Sequence, residues 1–387
     1  MGSDAIERAT KTFGTVFGGQ PVFLTQAPGR VNLIGEHTDY NEGLVLPVAI
    51  EHHVAIAGRP TTGAMIQLHT AAYGETAAIP VADPAHAEVP PWASYPQGVA
   101  LELSRRISLR GFEGAIVSNL PIGSGLSSSA ALEVATSLAL EHAAGHVVTA
   151  RERALLCWTA EVEFVGVPCG IMDQFASALS REGHALFIDC RSQDTHHIPL
   201  PPKLIIVVCD TGARRALASS AYAERRRECA EAVAMLRERR RSVQSLRDIT
   251  MDDLALLVEL PDPHCRRARH VVTENHRVVQ AAQALESGQV GALGDLFLAS
   301  HQSLRDDYDV STPELDAMVE AAVASPGCVA ARMTGAGFGG SVVALVERTL
   351  QQAFLQTVAS EYQRRTRHEG MFFTTQAAAG AQILELA

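Results

Sequence analysis

The segment NLPIGSGLSSSAALEVA, residues 119–135, joins an apolar run to a helical pattern through a turn rich in glycine and serine. Gly123 and Gly125 allow the backbone to approach a ligand closely, and Ser127, Ser128 and Ser129 stand where the helix begins. The first N–H groups of a helix lack partners within it and lie at the positive end of its dipole. The segment therefore predicts an anion site, although an ordinary glycine-rich turn with a capped helix fits the same residues.

Lysine is almost absent from this chain of 387 residues. Only Lys11 and Lys203 are lysines among the 32 basic residues, and neither follows a glycine-rich loop. This excludes a P-loop, whose lysine must reach the nucleotide phosphates, and a protein kinase, which needs a strand lysine paired with a helix glutamate. Any phosphate site must therefore use backbone N–H groups, arginine or a metal ion.

The composition is typical of a folded protein with a sizeable core, because 47% of the residues are hydrophobic and 19% are charged. A formal net charge of −11 argues against a protein that coats nucleic acid. The seven cysteines form no C-x-x-C pair, so neither a zinc site nor a redox motif is indicated. Asp4 and Glu7 stand where a signal peptide would be basic, and no apolar run is long enough to span a bilayer. We expect a cytoplasmic protein.

Short apolar runs alternate with longer helical patterns, which indicates a mixed α/β or α+β architecture. Strands are predicted at residues 22–26, 31–35, 44–57, 65–69, 114–118, 185–190, 204–210, 329–333, 341–347 and 371–376. Helices are predicted at residues 5–17, 93–110, 128–144, 149–164, 170–180, 219–241 and 350–367. The proline cluster at positions 199, 201 and 202 suggests a boundary between an N-terminal lobe, residues 1–200, and a C-terminal lobe, residues 201–387.

Polar residues interrupt an apolar neighbourhood in APGRVNLIGEHTDYNEG, residues 27–43. Carboxylates, an imidazole and turn amides suit the hydroxyl groups of a sugar, which present donors and acceptors in several directions. Arg30 could stabilise developing phosphoryl charge. A surface turn with incidental charges is an equal alternative for this segment taken alone.

Two further segments carry candidate groups. In VGVPCGIMDQF, residues 165–175, Asp173 stands among apolar residues and is either a buried capping residue or a catalytic carboxylate. Upstream of it, Glu161 is a candidate oxygen ligand for Mg²⁺ together with the hydroxyl of Ser129. RMTGAGFGGS, residues 332–341, contains G-x-G-x-x-G, but an apolar strand pattern follows it instead of a helix. It predicts a glycine loop that approaches a ligand or another loop, or a purely structural turn.

These four segments, in this order, resemble the galactokinases of the GHMP small-molecule kinase family. GRVNLIGEHTDYNEG resembles the galactokinase signature, PIGSGLSSSA the phosphate-binding motif and MTGAGFGG the third motif. CGIMDQ and HALFIDCRS are also similar. The resemblance implies an α+β, two-lobed GHMP kinase fold. Its N-terminal lobe has a mixed sheet and helices, its C-terminal lobe has a ferredoxin-like antiparallel sheet and helices, and the active site lies in the cleft between them.

The resemblance also implies residue roles. Asp173 would be the catalytic base, and Arg30 would stabilise the transition state and orient that carboxylate. The residues implied to bind the sugar are Glu36, His37, Thr38, Asp39, Gly170 and Tyr222. The ATP phosphates would be wrapped by Gly123, Ser124, Gly125, Leu126, Ser127, Ser128 and Ser129, with Mg²⁺ on Ser129 and Glu161. One departure is Ala336, which replaces a glycine common in the third motif and puts the packing of that loop in question.

The implied reaction is phosphorylation of the C1 hydroxyl of galactose by MgATP, giving galactose 1-phosphate and ADP, the first committed step of the Leloir pathway. Galactose and MgATP are the expected partners of a monomer that binds neither nucleic acid nor a membrane. Two alternatives stay open: a kinase for N-acetylgalactosamine or arabinose, and a catalytically silent galactose sensor. The intact residues Ser127, Ser128, Ser129 and Ala130 argue against the sensor, because such relatives have lost residues of this motif.

Overall fold

The computed structural model describes residues 2–121, 124–213 and 218–386. Within them the strands are β1 Phe23–Asn32, β2 Leu44–Val45, β3 Pro47–Thr61, β4 Met65–Thr70, β5 Glu75–Pro80, β6 Gly111–Ser118, β7 His184–Asp189, β8 Thr195–Pro199, β9 Leu204–Asp210, β10 Cys328–Thr334, β11 Ser341–Glu347, β12 Met371–Thr375 and β13 Gln382–Glu385. The α-helices are α1 Gly2–Phe17, α2 Ser94–Ser104, α3 Ser128–Ala144, α4 Ala150–Thr159, α5 Met172–Leu179, α6 Ala218–Arg239, α7 Leu254–Leu257, α8 His264–Glu286, α9 Leu293–Asp306, α10 Pro313–Val323 and α11 Gln351–Thr366.

These strands form three sheets. The first has the order β13-β1-β3-β6-β4-β5 and is mixed, because β4 and β6 run parallel whereas the other neighbours are antiparallel. The second, β10-β11-β9-β12, is antiparallel throughout, as is the small sheet β2-β7-β8. The predicted α+β class is confirmed, with a mixed sheet in the first half of the chain and a four-stranded antiparallel sheet in the second.

Helices cover both faces of the first sheet. Alternate residues of β3 point to opposite faces, so that Ala55 and Ala57 meet α1 around Phe13, whereas Val54 and Ile56 belong to the main core. Helix α3 packs against β1 and β3 on that main-core side. The sheet therefore fixes the start of α3 beside the middle of β1.

Strand β1 differs from its prediction. Residues 22–26 and 31–35 were expected to form two strands, but one strand runs from Phe23 to Asn32. The register against β3 shifts between Pro28 and Arg30, because a bulge accommodates the proline within a continuous strand. The expected single strand at residues 44–57 is conversely two strands, β2 and β3, which belong to different sheets.

The second half of the chain builds its own core around the antiparallel sheet. Val207, Cys209, Val342 and Ala344 pack there with residues of α8, α10 and α11. The last strand, β13, nevertheless returns to the first sheet and pairs with β1. The lobe boundary near residue 200 stays a prediction.

Helix α4 has a distinct structure at each end. Thr149 caps its start in a capping box in which the Thr149 hydroxyl accepts from the Glu152 N–H and the Glu152 carboxylate accepts from the Thr149 N–H. At its other end α4 continues into a π-helical segment, Ala160–Val165, which carries Glu161.

No helix in the described part of the chain is long and apolar enough to cross a membrane.

Candidate active site

A cavity of about 370 Å³ lies where β1, the turn after it, the start of α5 and the start of α6 come together. It is lined by Arg30, Glu36, His37, Asp39, Tyr40, Glu161, Val167, Pro168, Cys169, Gly170, Met172, Asp173, Tyr222, Ala223, Gly335 and Ala336. The fold thus brings three of the four predicted segments, and the predicted tyrosine of α6, to one cavity.

Asp173 lies in the first turn of α5 and is held by two groups distant in sequence. Arg30 Nε donates to its Oδ1 at 2.8 Å and Arg30 Nη2 donates to its Oδ2 at 2.9 Å. The hydroxyl of Ser127 also donates to Oδ2. The carboxylate is about a quarter exposed, so it is fixed in orientation while one side stays open to the cavity.

The described part of the serine-rich loop, residues 124–129, is tied to the same arginine. Arg30 Nη1 donates to the Gly125 carbonyl at 2.7 Å, and the Arg30 N–H donates to the Leu126 carbonyl at 3.1 Å. Ser127 precedes α3 with a left-handed backbone, φ +60°, and its hydroxyl does not cap the helix. The expected serine cap is thus wrong for Ser127, because its hydroxyl bonds Asp173 instead. Gly123 lies outside the described residues.

The other loop residues differ in exposure. Ser124 and Leu126 are buried, whereas Gly125 and Ser128 are exposed and Ser129 is half-buried. The Ser124 hydroxyl donates to the Pro121 carbonyl at 2.8 Å. The start of α3 at Ser128 is thus open to solvent beside the loop, as an anion site requires.

The glycine loop, residues 335–340, packs against the serine-rich loop. The Ser341 hydroxyl donates to the Ser124 carbonyl at 3.0 Å, and a Cβ at Gly335 would lie 3.3 Å from the Gly125 carbonyl oxygen. Gly335 has φ +83° and Gly340 has φ +87°, backbone that favours glycine. The prediction of a glycine loop that approaches another loop is confirmed.

Glu36 lines the cavity, yet its carboxylate has partners within the protein. Its Oε2 accepts from Asn32 Nδ2 and Arg332 Nη1, and its Oε1 accepts from the Gly335 N–H at 2.8 Å. Burial raises the pKa of Glu36, and the charge of Arg332 acts in the opposite direction. Glu36 therefore joins the turn after β1 to the glycine loop through these hydrogen bonds.

Three aromatic rings form another wall of the cavity. His37 has φ +63° and its ring lies 5.7 Å from the ring of Tyr222, which in turn lies 5.4 Å from that of Tyr40. Burial lowers the pKa of His37 to about 3, so its ring is neutral near pH 7. The wall thus offers neutral polar groups and ring faces to a ligand.

Asp39 supplies a further carboxylate of the cavity. Burial, with a further contribution from the negative charge of Asp173, raises the pKa of Asp39 to about 7. A Cβ placed on Gly170 would lie only 2.1 Å from Asp39 Oδ2 and 2.3 Å from its Cγ. Glycine at position 170 is therefore what lets the Asp39 carboxyl group occupy its place.

Thr38 is placed differently from the other signature residues. Its hydroxyl lies within hydrogen-bond distance of the carbonyls of Gly35, at 2.8 Å, and Leu44, at 2.6 Å, and its side chain is fully buried. It is absent from the cavity lining, so the geometry assigns it to the packing of the turn and does not support its predicted contact with a sugar.

Glu161 and Ser129, the predicted Mg²⁺ ligands, lie near each other, and the Ser129 hydroxyl acts to lower the pKa of Glu161. Burial, and next the charge of Asp173, raises the pKa of Glu161 to about 7. Gln174 Nε2 donates to both Glu161 Oε2 and Glu133 Oε2. Glu133 Oε1 and Gln174 Oε1 are buried without a partner in the described part of the structure.

The candidate ligands, the Ser129 hydroxyl and the Glu161 carboxylate, are oxygen atoms, which Mg²⁺ prefers. A positive ion would also stabilise the paired carboxylates of Glu161 and Glu133. The described residues nevertheless contain no group of three or more His, Cys, Asp or Glu side chains arranged around a metal position. A carboxylate and a hydroxyl fit an ion that takes its remaining ligands from phosphate and water.

Several residues near the cavity were given no role by the sequence. Glu133 and Gln174 lie within helical patterns. Arg332 lies in the buried strand β10, where its Nε and Nη2 have no hydrogen-bond partner among the described residues. The sequence shows each of them as a charged or amide side chain within an apolar helix or strand. This pattern marks the positions as unusual, but it does not predict which groups the side chains contact.

Comparison with known protein families agrees with this geometry. Residues 11–60 match the galactokinase galactose-binding signature, residues 94–181 the N-terminal domain of GHMP kinases, and residues 281–364 the C-terminal domain of GHMP kinases. The three matches follow one another along the chain and include the signature turn, the serine-rich loop and Asp173.

Individual relatives match over nearly the whole chain. The galactokinase of Homo sapiens is 42% identical, with 99% of this chain and 97% of that protein covered. The galactokinase of Chloroflexus aurantiacus is 44% identical, with 92% and 91% covered. The solved structure of Lactococcus lactis galactokinase complexed with galactose superposes with a TM-score of 0.92 at 33% identity, covering 97% of this chain and 99% of that one. The chain belongs to the galactokinase family of the GHMP kinases.

Proposed function

We propose that the protein transfers the γ-phosphoryl group of ATP to the C1 hydroxyl of galactose, giving galactose 1-phosphate and ADP. The observation that carries this proposal is the Asp173 carboxylate, held by Arg30 at the edge of a cavity that Asp39, His37 and Tyr222 also line. Carboxylate and phenol groups suit the hydroxyls of a hexose. The reaction would be the first committed step of galactose metabolism.

Asp173 acts as the general base in this proposal. A carboxylate that is already oriented can accept the proton of the sugar hydroxyl as that oxygen attacks phosphorus. Arg30 holds the carboxylate in a fixed orientation before the reaction, and its charge opposes the negative charge that develops on the transferring phosphoryl group. Because phosphoryl transfer depends chiefly on positioning and electrostatics, no covalent intermediate on the protein is needed.

The serine-rich loop and the start of α3 would bind the ATP phosphates. Helix N-terminal N–H groups replace the lysine of the P-loop, since neither of the two lysines belongs to the loop. Gly123 to Ser129 remain the proposed contacts. The close packing of the glycine loop on this segment supports it as one wall of the nucleotide site.

Ser129 and Glu161 would hold Mg²⁺, and the fit rests on the Ser129 hydroxyl near Glu161 and on the buried Glu161–Glu133 carboxylate pair that Gln174 bridges. When bound, the ion would neutralise phosphate charge and orient the nucleotide. Gln174 Nε2 donates to the Glu161 carboxylate in this arrangement, which restricts the direction of that carboxylate.

An ADP-release assay on the purified protein with a panel of sugars tests the proposal. Turnover with strong preference for galactose supports it. Preference for N-acetylgalactosamine or arabinose would instead establish the related sugar kinase, and calorimetric galactose binding without turnover would establish the sensor. The Arg30–Asp173 pair argues against the sensor, since binding alone does not require an oriented base.

We also propose that the protein works as a monomer in the cytoplasm. Seven widely spaced cysteines suit a reducing compartment. Light scattering coupled to gel filtration tests the monomer, for which a single species near the chain mass of 41.3 kDa is expected. Fractionation of the source cells tests the location.

A further inference from the structure

A chain of hydrogen bonds leads away from the proposed sugar cavity through side chains that the proposed reaction does not use. His37 Nδ1 lies 2.8 Å from Tyr40 Oη, and Tyr40 Oη lies 2.8 Å from Tyr308 Oη. Tyr308 Oη lies 3.0 Å from Cys229 Sγ in α6. At the other end, His37 Nε2 lies 3.1 Å from the carbonyl oxygen of Ala336 in the glycine loop.

The direction of this chain follows from its last acceptor. A carbonyl oxygen can only accept, so Nε2 of His37 carries the proton and Nδ1 of the neutral ring must accept from Tyr40. Tyr40 has then used its own proton, and its oxygen accepts from Tyr308. The Tyr308 oxygen in turn accepts from the Cys229 thiol. Each hydrogen bond between Cys229 and Ala336 in this series therefore has a defined donor and a defined acceptor.

Tyr308 is the member of the chain that joins three parts of the molecule. It is fully buried, and its carbonyl accepts from Arg225 Nε of α6 at 2.8 Å. Two residues later, the Val310 carbonyl accepts from the Phe338 N–H at the tip of the glycine loop, also at 2.8 Å. Residues 308–310 thus hold α6 on one side and the glycine loop on the other.

Both partners contribute to the cavity that Tyr308 itself does not line. Helix α6 carries Tyr222, whose ring lies against His37 and Tyr40, and the glycine loop supplies Gly335 and Ala336. The hydroxyl proton of Tyr40 is donated to His37, so Tyr40 has no proton left to offer a ligand. Its hydrogen bonds serve to hold the wall in place.

We propose that Tyr308 is a positioning residue for sugar binding, which fixes the His37–Tyr40 wall of the cavity through this directed hydrogen-bond chain. The inference rests on the proposed function and deepens it by naming a residue that acts on sugar affinity without touching the sugar. It predicts a selective effect on galactose, because the chain ends in the sugar wall and the serine-rich loop has its own ties to Arg30.

The test is Tyr308→Phe, which keeps the ring and removes the hydroxyl. Tyr40 then loses its donor and Cys229 its acceptor, both in a buried place. We expect the galactose Kd, measured by calorimetry, and the galactose KM to rise about five- to twentyfold. The KM for ATP should stay within about twofold and kcat within about threefold, because the groups that hold Asp173 are unchanged.

Tyr362→Phe is the matched control. Tyr362 is also fully buried and donates its hydroxyl proton at 2.8 Å, to the Thr211 carbonyl, but it does not line the cavity. The Tyr362→Phe protein should lose as much thermal stability as the Tyr308→Phe protein, but it should keep the wild-type galactose Kd. A Tyr308→Phe protein that keeps the wild-type Kd would overturn the proposal. So would one whose two KM values and kcat change together, since that pattern indicates general loosening.

Tyr40→Phe tests the next link of the chain and serves if Tyr308→Phe does not fold. It removes the donor to His37 Nδ1, so its galactose Kd should rise in the same range, and an unchanged Kd would contradict the inference. The proposed function fails separately, if the wild-type protein turns over no sugar. Direct calorimetric binding still compares the variants in that case.

Discussion

The guanidinium group of Arg30 donates to both carboxylate oxygens of Asp173, with Nε–Oδ1 at 2.8 Å and Nη2–Oδ2 at 2.9 Å. The remaining terminal nitrogen, Nη1, donates to the Gly125 carbonyl at 2.7 Å. One planar side chain therefore sets the position of the proposed base and of the loop proposed to bind phosphate. A geometry that is fixed in advance costs no reorganisation when the reaction occurs.

Asp173→Asn should abolish most turnover while leaving galactose binding largely intact. The amide keeps the size of the side chain but cannot accept the sugar proton, and general-base help is worth on the order of 10² to 10⁴ in rate. We expect kcat to fall by about that factor and the calorimetric galactose Kd to change by less than about fivefold. Asp173→Ala should lose as much turnover. A near-normal kcat in either variant would exclude Asp173 as the base.

Asp253→Asn is a suitable control for that experiment. Its side chain is 24% exposed, against 27% for Asp173, and it too pairs with an arginine, Arg240, at 2.9 Å. It does not line the cavity, so kcat should stay at the wild-type value. A comparable loss of rate in both variants would point to destabilisation instead of lost chemistry.

Gly170→Ala should impair galactose binding more than any other step. The added Cβ would lie 2.1 Å from Asp39 Oδ2, a distance at which the carboxyl group must move. We expect the galactose KM to rise by about tenfold or more, as for the loss of a hydrogen bond to a charged group, with a smaller change in the KM for ATP. Gly291→Ala is the control, because a Cβ there meets nothing within 4 Å. Equal galactose KM values in the two variants would remove Gly170 from the sugar site.

Features that depend on neighbouring residues could be predicted from the sequence. The capping box of Thr149 with Glu152, the start of α3 after the serines and the turn in the glycine loop each follow from a few consecutive residues. Their positions in the chain, compared with known motifs, were enough to assign the family and the fold class.

Features that depend on tertiary contacts could not be predicted in the same way. Ser127 was expected to cap α3, because a serine before a helix commonly does so, yet its hydroxyl meets Asp173 from 46 positions along the chain. Thr38 belongs to the signature, but only the fold shows that its hydroxyl bonds backbone carbonyls. Tyr308 carried no sequence signal, since its role depends on α6 and the glycine loop together.

Short strands were missed for a related reason. Strands β5, β8 and β13 were not predicted, because their few residues show little apolar pattern and are stabilised by pairing with neighbours distant in sequence. Strand β13 shows this best, since it pairs with β1 from the other end of the chain. The predicted division of the chain at residue 200 assigns β13 to the C-terminal lobe, so its pairing within the first sheet could not be inferred from that division.

The raised pKa of Asp39 predicts how the stability of the protein depends on pH. Its pKa is about 7 in the folded protein and 3.8 ordinarily, so between these values the unfolded chain releases a proton that the folded protein retains. Its contribution to stability is therefore complete below about pH 4 and is lost as the pH rises to about 7, by at most about 1.4 kcal/mol per pH unit. Asp39→Asn lacks this dependence.

Thermal unfolding of both proteins between pH 5 and pH 8 measures the effect. The melting temperature of the wild type should fall relative to that of Asp39→Asn as the pH rises to 7, and the difference should level off above it. Comparing the two proteins cancels the other titrating groups. A difference that is constant with pH, or that changes in favour of the wild type, would show that Asp39 ionises normally.

Glu161→Gln should separate the proposed metal ligand from a structural carboxylate. The amide removes a buried group whose ionised form is disfavoured, so the free protein at pH 8 should be at least as stable as the wild type. The Mg²⁺ concentration for half-maximal turnover should rise by about 10- to 100-fold, and the stabilisation by MgATP in thermal unfolding should shrink. Glu163→Gln, an exposed position in the same π-helical segment, should change neither property. If Glu161→Gln keeps the wild-type Mg²⁺ dependence in both measurements, the ion is held by other groups and Glu161 is a structural carboxylate that Gln174 binds.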